Sequence, residues 1–248
     1  MSYTLGGTLF VRNAIEFDYC VVESIRCLQE LCDEVVVVDA GSDDGTTELI
    51  NSIKDDKTMI LNLSKDDWDN QHGKEKLAYF TNIAISCLST DYNINLQADE
   101  IIHEDSFDAI RKAISTGGQA FYVTRKNLWK DCNHELDVPH EKKPCSTEII
   151  RLAKSHFKSF GDAESLDALA SFKYMKDIII WHYGFVRMKE VMISKIKNMQ
   201  TNVFEIDYDK KMDGMSVFRW EAWFSEEDLK QITTPHPKFI QEWILTRP

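Results

Sequence analysis

Long apolar runs are missing from this chain of 248 residues. Its richest stretches, such as Ile178-Ile179-Ile180-Trp181, fall far short of the roughly 20 residues a membrane helix needs, so no transmembrane segment is expected. Positive charge is thin as well: 29 Lys and Arg stand against 41 Asp and Glu, a formal net charge of -12. No basic cluster is longer than Lys142-Lys143 or Lys210-Lys211, which argues against duplex nucleic acid as the principal ligand. The stretch from Met1 to Val11 lacks the charged start of a secretory leader, and the expected location is cytoplasmic. The six cysteines form no C-x-x-C pair and meet no His at zinc-finger spacing, so they are read as reduced thiols. Cys27, on the apolar side of a helical repeat with Ile25, Leu28 and Leu31, is expected to pack as a small hydrophobe.

Several catalytic signatures are absent too. No G-x-G-x-x-G follows the first strand-like run, because Gly6-Gly7 precede it and Arg12-Asn13 follow it, which disfavours a dehydrogenase. There is no G-x-x-x-x-G-K-[ST] for P-loop phosphate transfer. Two aspartates follow Gly41-Ser42, so the G-x-S-x-G elbow of α/β hydrolases is not formed. His134-Glu135 and His140-Glu141 lack the H-E-x-x-H spacing of zinc proteases. No Pro/Gly/Ser-rich linker, repeat or low-complexity tract splits the chain, and a single domain over 1–248 is the simplest organisation.

What the chain does have is a run of four valines, Val35 to Val38, ending abruptly in Asp39-Ala40-Gly41-Ser42-Asp43-Asp44-Gly45-Thr46. A β-branched run closed by acidic and small residues reads as a buried strand that hands over to a helix. Tyr92 to Leu96 ends in the same manner at Gln97-Ala98-Asp99-Glu100-Ile101-Ile102. In open α/β sheets ligands collect at the carboxyl ends of strands, so Asp39 and Asp99 on one edge would frame a crevice. Asp43 and Asp44 also stand where helix caps belong, just before Thr46-Thr47-Glu48-Leu49-Ile50.

The elements alternate. A strand through Val11 is followed by a helix over Tyr19–Leu31, the valine strand, a helix from Thr46 to Ile53 and a strand over Met59–Leu63. A polar loop from Ser64 to Gly73 precedes a helix from Lys74 to about Leu88, the strand at Tyr92 and a helix over Glu104–Ile114 that stops at Gly117-Gly118. Residues 1–118 therefore predict an α/β ligand-binding half with a mainly parallel sheet flanked by helices. In 119–248, strands are expected at Ala120–Thr124, Thr147–Leu152 and Lys176–Trp181, then a helical region from Met188 to Val203.

Phe10-Val11-Arg12-Asn13, the VVVVDAGSDDGT segment and the LQADE segment together resemble family 2 glycosyltransferases of the Rossmann-like GT-A fold, which move a sugar from a nucleotide-sugar donor with inversion. Gly161-Asp162-Ala163-Glu164-Ser165-Leu166, Trp181-His182-Tyr183-Gly184-Phe185-Val186-Arg187 and His236-Pro237-Lys238 look like segments of a bacterial branch of that family, so the resemblance runs along nearly the whole chain. It implies that 1–118 binds a nucleotide sugar, of uridine or guanosine type, and that 119–248 receives a glycan or other hydroxyl acceptor.

The resemblance also distributes roles. Asp39 would contact the nucleotide base, with Asp43 helping to order the donor site. The D-x-D motif, which binds the ribose and a divalent ion, falls on Gln97-Ala98-Asp99, and Gln97 replaces its first acid. Asp99 would then hold Mg²⁺ or Mn²⁺ together with the diphosphate. His182, just past the Ile178-Ile179-Ile180 strand, would ligate the metal or touch the diphosphate, a packed and hydrogen-bonded histidine being the competing reading. Arg12 and Arg187 are the expected phosphate partners, since a guanidinium fork matches phosphate oxygens. Asp162 and Glu164 fall where the family places an acidic motif at the start of a helix, and one of them would be the base that deprotonates the acceptor; Asp162 as a plain helix cap is the competing reading. Trp220 and Trp223, near Phe218 and Phe224, are read as core in preference to a platform for an acceptor sugar. Two other classes remain open: a nucleotidyltransferase of similar fold, and a non-catalytic sugar- or nucleotide-binding relative, which Gln97 keeps in view.

Overall fold

The computed structural model describes residues 3–139, 142, 144–168, 172–205 and 223–248. The first half follows the expected alternation: β1 (Leu5–Val11), α1 (Val21–Leu31), β2 (Glu34–Asp39), α2 (Thr46–Ser52), β3 (Thr58–Asn62), α3 (Lys65–Asp69), α4 (Glu75–Ser86) and β4 (Tyr92–Leu96). It continues into β5 (Glu100–Ile102), α5 (Phe107–Ser115), β6 (Ala120–Asn127), β7 (His134–Leu136), β8 (Glu148–Lys154), β9 (Ser159–Phe160), β10 (Ser165–Leu166) and β11 (Phe172–His182). After these come α6 (Lys189–Asn198), one wider helical turn over Met199–Val203, β12 (Leu229–Gln231) and α7 (Gln241–Ile244).

Eight of the strands form one sheet in the order β3-β2-β1-β4-β8-β6-β11-β5, so it runs through both halves of the chain. The pairs β2–β3, β1–β2, β1–β4 and β6–β11 are parallel. β8 is antiparallel to both its neighbours, and β5 is antiparallel to β11.

Helix cover on both faces explains the valine run. Val35 and Val37 point into the core built with Ile25 and Leu28 of α1, while Val36 and Val38 point into a second core with Trp68 and Phe80. All four are fully buried, and a strand covered on both faces has no polar side to display.

Three local expectations are corrected. The stretch from Ser64 is not a plain loop: Ser64 caps α3, its Oγ accepting from the Asp67 amide while the Asp67 carboxylate accepts from the Ser64 amide. The residues after Asp99 do not merely end a strand; they become β5 and cross to the far edge of the sheet beside β11. Asp162 starts no helix, because residues 161–164 form a turn between β9 and β10, with Gly161 and Ala163 at positive φ. Trp220 and Phe218 lie outside the described residues.

Candidate functional site

β1 lies between β2 and β4, and all three run the same way, so Asp39, Arg12 and the Gln97–Asp99 turn reach one edge of the sheet. A cavity of about 340 Å³ opens there. Its wall includes Arg12 from the end of β1, Gln97 and Asp99 after β4, Arg125 on β6, Asp162 and Glu164 from the 161–164 turn, His182 at the end of β11, and Lys195 on α6. Strand ends supply half of these groups, as expected where parallel strands meet a crevice.

Asp39 is buried and serves its own loop: Oδ1 accepts from the Ser42 amide at 3.0 Å and from Ser42 Oγ at 2.6 Å, and Oδ2 accepts from Thr47 Oγ1. Asp43 accepts from Asn13 Nδ2 at 2.9 Å, tying this loop to the end of β1. Asp44 accepts from the Thr46 amide and from Thr46 Oγ1, so it satisfies the start of α2 as a capping residue would. Gly41 turns the loop at φ +75°, and a Cβ there would sit 2.5 Å from the Ser64 carbonyl oxygen, which leaves glycine as the residue that fits. Arg12 donates to the Ala40 and Gly41 carbonyls and stacks 5.0 Å from the centre of the Trp68 ring. Neither Asp39 nor Asp43 forms part of the cavity wall.

Asp99 is buried among cations. Lys195 Nζ donates to its Oδ2 at 2.9 Å, Arg187 stands 3.9 Å from the same oxygen, and His182 Nε2 lies 3.7 Å from Oδ1. Burial pushes the carboxyl up, and the attraction of Lys195, His182 and Arg187 outweighs it, leaving Asp99 well below the usual carboxylate range. Burial, with Arg187 alongside, lowers Lys195 to about 8 against the pull of Asp99. Burial also brings His182 down to about 4, so its imidazole is neutral at pH 7. Arg187 is wholly buried behind Asp99, where it donates to Gly184 O, and it is not in the wall.

This donor set does not fit a resident Mg²⁺ or Mn²⁺. Asp99 is the motif's single carboxylate, Gln97 is neutral, and one Asp99 oxygen already holds an ammonium. Among the described residues no group of three or more His, Cys, Asp or Glu side chains could hold a metal ion. A dication placed on Asp99 would sit against Lys195 and near Arg187, where phosphate ligands would have to offset like-charge repulsion as well as complete the shell.

The two candidate bases differ. Glu164 accepts from Arg125, from the Ser146 amide at 2.9 Å and from Ser146 Oγ at 2.9 Å. Burial raises its pKa, but Arg125 and these hydrogen bonds prevail and hold it below the ordinary value. Asp162 is half-buried on the wall, and its carboxylate has no hydrogen bond to another described residue.

Behind the wall lies a buried ionic core that the sequence did not reveal. Glu100 Oε1 meets Arg151 at 3.0 Å and Arg125 at 3.3 Å, all three side chains being at most 1% exposed. Arg151 also donates to Asn95 Oδ1 and to the Ala163 carbonyl, thereby fixing the turn that carries Asp162. The segments around His182 and His236, far apart in sequence, meet where Tyr183 Oη lies 2.8 Å from His236 Nδ1. Trp223 is half exposed on the cavity wall, whereas Phe224 packs edge-on against buried Trp129.

No protein-family model matches the chain, and no curated protein matches it in sequence. Among solved structures, S. aureus TarS 1–349 in complex with UDP is similar at 12% identity and a TM-score of 0.50, covering 88% of this chain and 77% of that one. TarS 1–349 in complex with UDP-GlcNAc gives 12% identity and a TM-score of 0.51, with 84% and 68% covered. The chain spans 65% of another TarS 1–349 structure and 40% of a longer TarS chain. TarS is a glycosyltransferase, and at this identity the likeness is one of fold.

Proposed function

We propose that the chain is a glycosyltransferase that moves a sugar from a nucleoside diphosphate sugar, of uridine or guanosine type, to a hydroxyl of a glycan or other acceptor, with inversion at the anomeric carbon. The observation that carries this reading is the cavity at the carboxyl ends of β1 and β4, which places cations and a carboxylate with no hydrogen bond to another described residue around one volume. The fold shared with structures that hold UDP and UDP-GlcNAc supports it.

In the reaction, the acceptor oxygen bonds to the anomeric carbon as the bond from that carbon to the phosphate oxygen breaks. The electron pair of the broken bond stays on the departing diphosphate. Asp162 takes the acceptor proton, because its carboxylate faces the cavity while that of Glu164 is held by Arg125 and Ser146. Arg12 and Lys195 provide positive charge where the diphosphate would lie. Asp39 shapes the 40–47 loop and Gln97 offers an amide to a ribose hydroxyl.

A mass-spectrometric screen of donor consumption across common uridine and guanosine diphosphate sugars, with simple hydroxyl acceptors, tests the proposal. Consumption of one donor with release of its nucleoside diphosphate is the expected result. Tight nucleotide binding with no consumption of any donor would instead favour a non-catalytic sugar-nucleotide binder.

A further inference from the structure

We infer that Lys195 is the cation that meets the leaving diphosphate, taking the place that a D-x-D arrangement gives to a divalent ion, so that nucleotide binding needs no metal. This inference rests on the nucleotide-sugar reading above.

The geometry of the lysine is the first support. A lysine ammonium has three N–H donors. Two are used by the chain, toward Asp99 Oδ2 at 2.9 Å and the Gly184 carbonyl at 2.8 Å. The third has no acceptor among the described residues, and the side chain lines the cavity. The ammonium is also held in place: it sits 5.0 Å from the centre of the Tyr19 ring and 5.9 Å from that of Phe185, and its side chain is 14% exposed. A positioned cation with a spare donor on a cavity wall resembles a bound ion more than a mobile surface lysine.

Charge accounting is the second support. Asp99 carries one negative charge, and Lys195 and Arg187 carry one positive charge each within 4 Å of it. These three side chains therefore sum to a net charge of plus one with no metal present. A site with two acids and a dication would net to zero, so this cluster already matches or exceeds what the ion would supply. Arg187, buried behind Asp99, balances the carboxylate and leaves the charge of Lys195 available to the ligand. Arg12 adds a second cation on the same wall, because its partners there are carbonyls and not carboxylates. Gln97 in place of the first acid fits this arrangement, since a second carboxylate would cancel the positive balance.

During transfer the bond between the anomeric carbon and the phosphate oxygen breaks, and its electron pair raises the negative charge of the departing diphosphate by one. Lys195 meets that charge with its spare N–H, and no electron or proton need leave the lysine.

Isothermal titration of the full chain with uridine diphosphate and guanosine diphosphate, in EDTA and in excess Mn²⁺ or Mg²⁺, tests the inference. One of the nucleotides should bind with the same affinity in both media. Lys195→Met should weaken it about 10- to 100-fold, the value of one lost charge-assisted hydrogen bond, with Lys195→Arg staying close to the parent and circular dichroism confirming the fold of both. Asp99→Asn separates the two arrangements most cleanly. In a metal site it removes the ligand and the affinity with it; here it removes a competing anion, and affinity measured at pH 6 should hold or rise. Binding that appears only with metal, or is lost in Asp99→Asn, would overturn the inference and leave the transferase reading standing. Binding of neither nucleotide under any condition would overturn both.

Discussion

Asn127 Oδ1 lies 2.9 Å from Nδ1 of His182, and that contact fixes which ring nitrogen carries the proton. Asn127 Nδ2 donates to the Cys145 carbonyl at 3.3 Å, so the amide turns its oxygen to the imidazole and can only accept from it. His182 is thus the Nδ1–H tautomer, with Nε2 unprotonated and 3.7 Å from Asp99 Oδ1. Burial is the main reason its pKa falls to about 4, against the attraction of Asp99. In imidazole nitrogen NMR, the resonances that disappear in His182→Gln should keep the neutral Nδ1–H pattern from pH 8 down to about 5. A midpoint near the ordinary histidine value would refute the assignment.

Much of the sheet edge beside the cavity was legible because it is built from local, periodic signals. Four valines in a row require cover on both faces, and the change to Asp39-Ala40-Gly41 marks the strand end wherever the chain folds. Lys195 was not legible: in an amphipathic helix, lysines normally face water, and nothing in the residues from Met188 to Val203 shows that Asp99 lies opposite. Arg125 and Asn127 were missed because β6 was expected to end at Thr124, one residue before the first and three before the second. The crossing of β5 to the far edge is a pairing between distant segments, which short-range periodicity cannot register. By contrast, the Ser64–Asp67 capping box of α3 was in plain sight as a Ser followed three residues later by an acid.

The Glu100–Arg151 pair should matter more to stability than any surface ion pair, since both side chains are out of solvent. Arg151→Met would leave Glu100 with Arg125 and the Gln97 amide as partners and strip a donor from the Ala163 carbonyl. A loss of about 3–5 kcal/mol is expected in urea denaturation at pH 7. Burial raises the Glu100 pKa, but Arg151 and Arg125 outweigh it, so the folded value lies below the unfolded one. The stabilisation is therefore complete above the unfolded carboxylate pKa and disappears as the pH falls through the folded value. An Arg151→Met variant with an unchanged urea midpoint would show that Arg125 and the Gln97 amide suffice for Glu100.

Asp162 and Glu164 sit two residues apart, yet their substitutions should have opposite signatures. Asp162→Asn should lower transfer by about 10²- to 10⁴-fold while nucleotide affinity stays near the parent, because it removes a proton acceptor and no structural bond. Glu164→Gln weakens an ion pair with Arg125 and should lower stability by about 1–3 kcal/mol, with a smaller effect on turnover. Single-turnover kinetics beside thermal unfolding of both variants separates the two effects. Turnover lost in Glu164→Gln but kept in Asp162→Asn would exchange their roles.

The pH dependence of nucleotide binding should report Lys195 directly. Its pKa is brought down to about 8, chiefly by burial and then by Arg187, with Asp99 opposing both. Below that value the side chain is charged and meets the diphosphate; above it the ammonium gives up a proton and the attraction with it. Bound diphosphate favours the charged form, so the complex titrates at a higher pH than the free protein. Affinity should therefore be level from about pH 6 to 7 and fall above about 8, with a slope approaching tenfold per pH unit between the free and bound values. The Lys195→Arg variant should remain level through pH 10, since a guanidinium does not deprotonate in that range. Titration calorimetry across this window checks both curves, and a parent affinity that stays flat to pH 10 would place the diphosphate away from Lys195.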